Sequence, residues 1–354
     1  MSLVALPGVI EYPSKLFGAR SLLWANDVID ATGEMVANIC LTPKSGNIRK
    51  IGILTGTVTT PQTLDCRIET LGTDGNPSGS LWAVNTNGSQ ATPASNTWYW
   101  VTLTADAAVT AGDYFAIVIN YTATVGNLSM IYRITGLYHS NLYSTFRDGA
   151  GTWFRNAGQV GAFAVEFADG SRTHVGTYPA SVATPISEAI NTGTTPDEVG
   201  ILFSLPFTAK CVGAVFRTIK ASTTVAVKLY DSDGTTVLES KTGIDLDIAN
   251  NATNEAFYAM WDTQVTLSAN TNYRITLLPE AATSITVYRV TVDSAGTRDA
   301  WPGGDDFQKT HRTDAGEWTN TTTQIPQIAL LLSHLDDGSG GGAGGGGHII
   351  GGGM

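Results

Sequence analysis

Side chains alternate between apolar and polar along this chain, and the repeat is two. The clearest case is Val225-Ala226-Val227-Lys228-Leu229-Tyr230, where a period of two marks a strand with one buried face. β-Branched and aromatic runs of this kind recur at 49–57, 63–71, 97–103, 114–121 and 161–167. They recur again at 199–205, 211–219, 224–230, 256–261, 273–278, 285–292 and 327–332. Gly, Pro, Asn and Asp bound them. Asp74-Gly75 and Asp233-Gly234 read as hairpin turns. Residues 180–190 alone have a faint helical character. Short strands with turns every ~8–12 residues predict β-sandwiches.

The pattern also repeats at long range. Asp27-Val28-Ile29-Asp30-Ala31-Thr32-Gly33 returns as Glu188-Ala189-Ile190-Asn191-Thr192-Gly193, and Ile51-Gly52-Ile53-Leu54 as Val212-Gly213-Ala214-Val215. Gly112-Asp113-Tyr114-Phe115 returns as Thr271-Asn272-Tyr273-Arg274. Asp148-Gly149-Ala150-Gly151-Thr152-Trp153 returns as Asp314-Ala315-Gly316-Glu317-Trp318. Solenoid periods run about 20–50 residues, and this one is far longer, so it is a duplicated domain. The expected fold is all-β: two tandem, jelly-roll-like β-sandwiches at 27–170 and 187–335, joined by a linker at 171–186.

Two ends lie outside the repeat. Residues 1–26 include Leu3, Leu6, Phe17 and Trp24, too apolar for a solvated tail, and Pro7 and Pro13 keep them extended. They read as an arm that packs on something. Residues 336–354 are a glycine-rich tail interrupted by Ala343 and by His348, Ile349 and Ile350. Glycine loses the most entropy on ordering, so this tail orders only where bare backbone meets another chain closely. Both ends are expected to anchor the molecule.

Charge narrows the partners. The formal net charge is −11, and Arg49-Lys50 is the densest basic pair. Nucleic-acid binding needs a basic face that releases counterions, so it is set aside, as is an anionic membrane. No run of ~18 apolar residues exists to insert as a membrane helix. The first residues lack the basic and apolar regions of a signal peptide. The expectation is a soluble protein made without a secretion signal. The charged fraction of 14% is low against a typical ~25%, as for a surface that packs on neighbours and forms homo-oligomers. Cys40, Cys66 and Cys211 sit in strand-like runs at no metal-binding spacing, and are expected as buried free thiols.

No motif of catalysis stands out. The five histidines show no ligand spacing. Asp231-Ser232-Asp233-Gly234 resembles the start of a calcium loop but lacks the later bidentate Glu, so a plain turn is expected. Asp305-Asp306, Asp314 with Glu317, and Asp148 are the acidic candidates for glycoside cleavage. They lie in Gly-rich loops, where acids mostly form turns. No enzyme activity, cofactor or metal is expected. The aromatics are more informative. Trp98, Tyr99 and Trp100 are consecutive, so one of them faces away from the other two. Trp153 and Trp318 hold the same place in each repeat. Trp98, Trp100, Trp153 and Trp318 are candidates for plugging the sandwich, for a subunit interface, or for stacking on a sugar.

The stretch Ile68-Glu69-Thr70-Leu71-Gly72-Thr73-Asp74-Gly75-Asn76-Pro77-Ser78-Gly79, followed by Val109-Thr110-Ala111-Gly112-Asp113-Tyr114-Phe115-Ala116-Ile117-Val118, resembles β-sandwich modules of tailed-bacteriophage virion proteins and secreted adhesins. The tail from Gly340 to Gly353 resembles glycine-rich segments of phage tail and fibre proteins. That resemblance implies a structural or attachment role on a virion assembled in the host cytoplasm, with other virion proteins, of capsid or tail, as partners. No coiled-coil, collagen-like or triple-β-helix stalk is present, so a compact decoration or accessory protein fits better than a long fibre. A receptor- or glycan-binding module contacting a host surface glycan is the second expectation. A polysaccharide depolymerase is the third.

Overall fold

The structure is a computed structural model. It describes residues 10–12, 24–59, 63–91, 95, 97–121, 128–134, 143–156, 159–176, 186–192, 197–219, 222–247, 255–291 and 306–336. Every regular element among them is a β-strand, and every strand pairing is antiparallel. The fold is all-β, as the alternation predicted.

Residues 24–174 supply two sheets. One carries Gly46–Val58 at its centre, flanked by Trp98–Val109, Leu128–Ile134 and Phe163–Phe167, with Arg172–His174 on the outer side of the last. The other runs Phe154–Asn156, Ser144–Arg147, Met35–Leu41, Tyr114–Tyr121, Thr63–Leu71 and Pro77–Leu81. Residues 186–336 repeat the scheme. Thr208–Thr218 is flanked by Glu255–Leu267, Ile285–Thr291 and Ile328–Asp336. The facing sheet runs Val237–Asp245, Thr224–Tyr230, Tyr273–Pro279, Glu198–Ser204, Asp306–Arg312 and Thr319–Thr321.

Each pair of sheets closes on one core. In the first, Ile51, Ile53, Val101 and Val165 of one sheet meet Cys66, Ile68, Phe115 and Ile117 of the other. In the second, Ala214, Phe216, Ile328 and Leu330 of one sheet and Ile201, Phe203, Leu229 and Ile275 of the other belong to a single buried cluster. Burying a Val, Leu, Ile or Phe contributes about 1.5–3 kcal/mol each, so these two layers carry the stability. The three cysteines lie inside as free thiols. Burial pushes the Cys40 thiol up to about 12 and the Cys211 thiol up to about 11, so they pack as small hydrophobes.

The glycine shared by the two repeats has a steric cause in each. A Cβ on Gly213 would lie 2.2 Å from the carbonyl oxygen of Ala259 on the next strand. One on Gly52 would strike the ring of Trp100 at 2.8 Å.

Two features depart from the sequence pattern. Ile186–Ile190, in the stretch with faint helical character, is a strand paired with Ile285–Thr291. Helix propensity is a weak prior, and the ladder offered by a neighbouring strand overrides it. The apolar arm has a specific destination. Its residues Ile10–Tyr12 pair with Leu330–Leu332 at the edge of the second sandwich. The equivalent edge of the first sandwich is closed locally by Arg172–His174. Trp24, placed at the end of the arm, belongs to the strand Trp24–Ile29 of the first sandwich, opposite Arg133.

Candidate functional site

The consecutive aromatics divide as a strand requires. Tyr99 points into the first core, and its hydroxyl donates to the carbonyl of Gln90. Trp98 and Trp100 share the outer face and are half-buried. Their rings stack at 6.1 Å between centroids, 25° apart. The edge strand covers them. The Arg172 guanidinium lies 4.4 Å from the Trp100 ring centre, and His174 meets Trp98 edge-on at 5.7 Å. Arg172 is positioned in turn by Glu166, whose carboxylate takes bonds from Arg172 Nε and Lys50 Nζ, both at 2.7 Å. Trp100 therefore holds an arginine and sits over the Gly52 backbone.

Trp153 and Trp318 form matching corners. Each follows an arginine by six residues, and that arginine lies over its ring: Arg147 at 5.2 Å and Arg312 at 4.3 Å. Trp318 also donates from Nε1 to the Gly234 carbonyl at 2.8 Å, pinning the hairpin turn. In the first repeat the matching turn carbonyl, on Gly75, accepts from Tyr143 at 2.6 Å instead. Behind the second corner lies a buried charge cluster. Glu198 accepts from Arg312 Nε and Tyr230 Oη at 2.7 and 2.9 Å. The cross-strand partner of Arg147 is Met35, where Arg312 has Glu198. Arg147 reaches the Met35 sulfur at 2.9 Å, and its Nε is buried without an oxygen acceptor. Glu69 stands where the second repeat has Tyr230. Burial raises its carboxyl above the ordinary value, against the Gly79 N–H and the charges of Arg67 and Arg147.

The feature that composition did not disclose is an aromatic edge. Phe146 and Phe154 are cross-strand partners on Ser144–Arg147 and Phe154–Asn156. Their rings stack at 5.4 Å and 26°. Phe146 is 45% exposed and Phe154 58%, the second on the outermost strand of that sheet and the first on the strand beside it. The second repeat places His311 and Thr319 at this pair. Comparing the repeats position by position would have shown two polar residues exchanged for two phenylalanines. This signal lies in a mismatch between the repeats.

Other candidates have plain roles. Asp233 Oδ1 accepts from the N–H groups of Thr235 and Thr236, both at 2.8 Å, so the loop is a side-chain-capped turn. Gly234 there has φ +70°, open to glycine without strain. Asp148, Asp314 and Glu317 lie exposed on the corner turns, and Asp306 accepts from Gln308 at 3.1 Å. Among the described residues, no three His, Cys, Asp or Glu gather as a metal site. Among the same residues there is no helix long and apolar enough to cross a membrane. An open hollow of about 410 Å³, lined by Met35, Tyr121 and Arg147 among others, faces solvent widely. Leu3, Leu6, Phe17, Asp305, His348, Ile349 and Ile350 lie outside the described residues.

No family model matches this chain, and no curated protein does. A solved structure from the Gx strain of infectious bursal disease virus matches at 6% identity, over 94% of this chain and 82% of that one. Its TM-score is 0.17, too low to assign even a shared fold.

Proposed function

We propose that this chain is a non-enzymatic structural protein of a tailed-phage particle, held on the particle exterior as a head-decoration or tail-accessory subunit. One observation carries the reading. Phe146 and Phe154 form a stacked, exposed aromatic pair across the short edge strand Phe154–Asn156 and its neighbour Ser144–Arg147. Sheet edges offer unpaired backbone groups, and a stacked aromatic pair beside them adds apolar area that a neighbour would bury. Aromatic residues are enriched in interface cores and depleted from ordinary surface. The resemblance of the sequence to phage virion modules supplies the kind of neighbour. The charged side chains described above support the reading from the other direction. Glu166, Glu198, Arg172 and Arg312 are engaged in positioning the sandwich faces.

The test is a binding assay on particles whose copy of this gene has been deleted. The purified wild-type chain should fill its sites. The Phe146→Ser, Phe154→Ser double variant, shown to keep a native β circular dichroism spectrum, should bind about 30-fold more weakly or worse, as loss of two interface anchors implies. Equal occupancy by both would refute this edge as the attachment surface.

A second reading, glycan binding on a host surface, draws on the stacked pair Trp98 and Trp100. Arg172 occupies ground over Trp100 that a sugar ring would need. Binding to a glycan array that is lost on Trp98→Ala, and kept in the double phenylalanine variant, would favour that reading.

A further inference from the structure

The corner of the first sandwich lacks a charge that its duplicate supplies from within. In the second sandwich Glu198 is the cross-strand partner of Arg312, and its Oε2 lies 2.7 Å from both Nε and Nη2 of that arginine. The guanidinium fork is filled. In the first sandwich the partner of Arg147 is Met35, and a thioether is a weak, uncharged acceptor. Nε of Arg147 is buried with no acceptor, and among the described residues no carboxylate forms an ion pair with this arginine. Glu69 feels its charge but is held by the Gly79 N–H at 2.9 Å and by Arg67 at 3.4 Å.

Space accompanies the missing charge. Arg147 lines the open hollow of about 410 Å³, with Thr32, Met35, Asn120, Tyr121 and Gly149 among the other walls. Pockets for small ligands hold roughly 300–1,000 Å³. The Trp153 ring backs the guanidinium at 5.2 Å, which fixes the plane of the fork. The acids around the hollow are placed elsewhere. Asp30 and Glu34 act on the Tyr121 hydroxyl, and Glu34 accepts from the N–H groups of Asp30 and Ala31 at 2.7 and 2.9 Å. Asp148, next in sequence to Arg147, is exposed.

We propose that this hollow is a carboxylate-binding site, in which a ligand's carboxylate takes the place at Arg147 that Glu198 takes at Arg312. A charge-assisted, two-pronged pair selects a planar anion over a neutral ligand of the same shape. Two sources carry that group, a sugar acid and an acidic side chain of a neighbouring protein. The inference does not rest on which particle, if any, carries the chain.

The test follows the Arg147 Nε–H resonance in arginine-labelled protein, identified by its loss in Arg147→Met. Glucuronate is titrated against glucose, and N-acetylglutamate amide against N-acetylglutamine amide. At least one acid should shift the resonance and saturate in roughly the millimolar range, while its neutral counterpart leaves it in place. The tighter acid names the source. No saturable shift with either acid would overturn the site, and so would equal shifts with the neutral compounds. A variant supplies the second arm. Met35→Glu places a carboxylate where the second sandwich has Glu198, so it should fill the fork and weaken binding about 10-fold or more. Met35→Gln should bind nearly as the wild type does. Undiminished binding to a Met35→Glu protein with native β circular dichroism would equally overturn the site.

Discussion

The hydroxyl of Tyr12 lies 2.8 Å from Oγ1 of Thr173, a bond between the edge strands of the two sandwiches. Both residues are buried. Tyr12 closes the second sandwich and Thr173 belongs to the strand that closes the first, so this bond joins the two edges. Removing the hydroxyl should therefore be felt although the ring keeps its place. Tyr12→Phe is expected to cost about 1–2 kcal/mol, since Thr173 loses a buried partner. Tyr12→Ala should cost about 3–5 kcal/mol by opening a cavity against Phe207 and Phe307. Urea unfolding of the two variants measures this. Equal costs for both would mean the ring contributes nothing.

The two arginine corners should respond unequally. Arg312 and Glu198 form a buried ion pair, with side chains 12% and 3% exposed. Glu198→Leu leaves the guanidinium without its carboxylate and should cost about 3–5 kcal/mol. Adding Arg312→Met should restore much of that loss. Arg147 faces the Met35 sulfur instead, so Arg147→Met should cost no more than about 1–2 kcal/mol. Denaturation midpoints for the four proteins give the comparison. A larger loss at Arg147 than at Glu198 would contradict this account of the corners.

Acid should weaken the first sandwich through a particular pair. Burial alone would raise the carboxyl of Asp169, but hydrogen bonds from Lys44 and Ser171 overcome it and hold the group down to about 2. A depressed carboxylate stabilises the fold above its ordinary value of 3.8, and the contribution is lost as pH falls toward 2. Glu166 is lowered too, with burial outweighed by hydrogen bonds from Lys50 and Arg172, and its contribution is likewise lost on acidification. Asp169→Asn should therefore be less stable than the wild type at pH 5 and nearly equal to it at pH 2. The effect should be modest, because Asp169 is 56% exposed and solvent screens the pair. A gap that widens on acidification would reverse the assignment.

The repeated glycine makes a paired prediction. At Gly213 the obstacle is a backbone carbonyl, which cannot rotate away. At Gly52 it is the Trp100 ring, which can shift. Gly213→Ala should cost more than ~3 kcal/mol, and Gly52→Ala about 1–3 kcal/mol. Thermal melts would rank them, and the reverse order would mean that Trp100 is held more rigidly than the strand backbone.

Much of the fold was legible because strands write their burial in a period of two. Tyr99 turned inward between two outward tryptophans follows from that period alone. The glycines of the shared motif could be seen to recur, though their obstacles could not, since Ala259 and Trp100 are neighbours across a sheet. The destination of Ile10–Tyr12 was hidden for the same reason. An apolar arm announces that it packs, but choosing among open edges depends on which sheet leaves one unpaired. Phe146 and Phe154 were hidden differently. Eight residues apart, they look like two separate aromatics until the hairpin places them opposite each other. The tryptophans were legible as a shared feature, and the arginine over each ring followed only from the register of neighbouring strands.

The central claim is that this chain attaches to a particle through the edge bearing Phe146 and Phe154. Electron cryomicroscopy of particles with and without the chain tests it most directly. The account predicts extra density on the exterior that fits two sandwiches, with the strand Phe154–Asn156 against a neighbouring subunit. Identical maps from the two particles would contradict it, and so would density that turns this strand toward solvent.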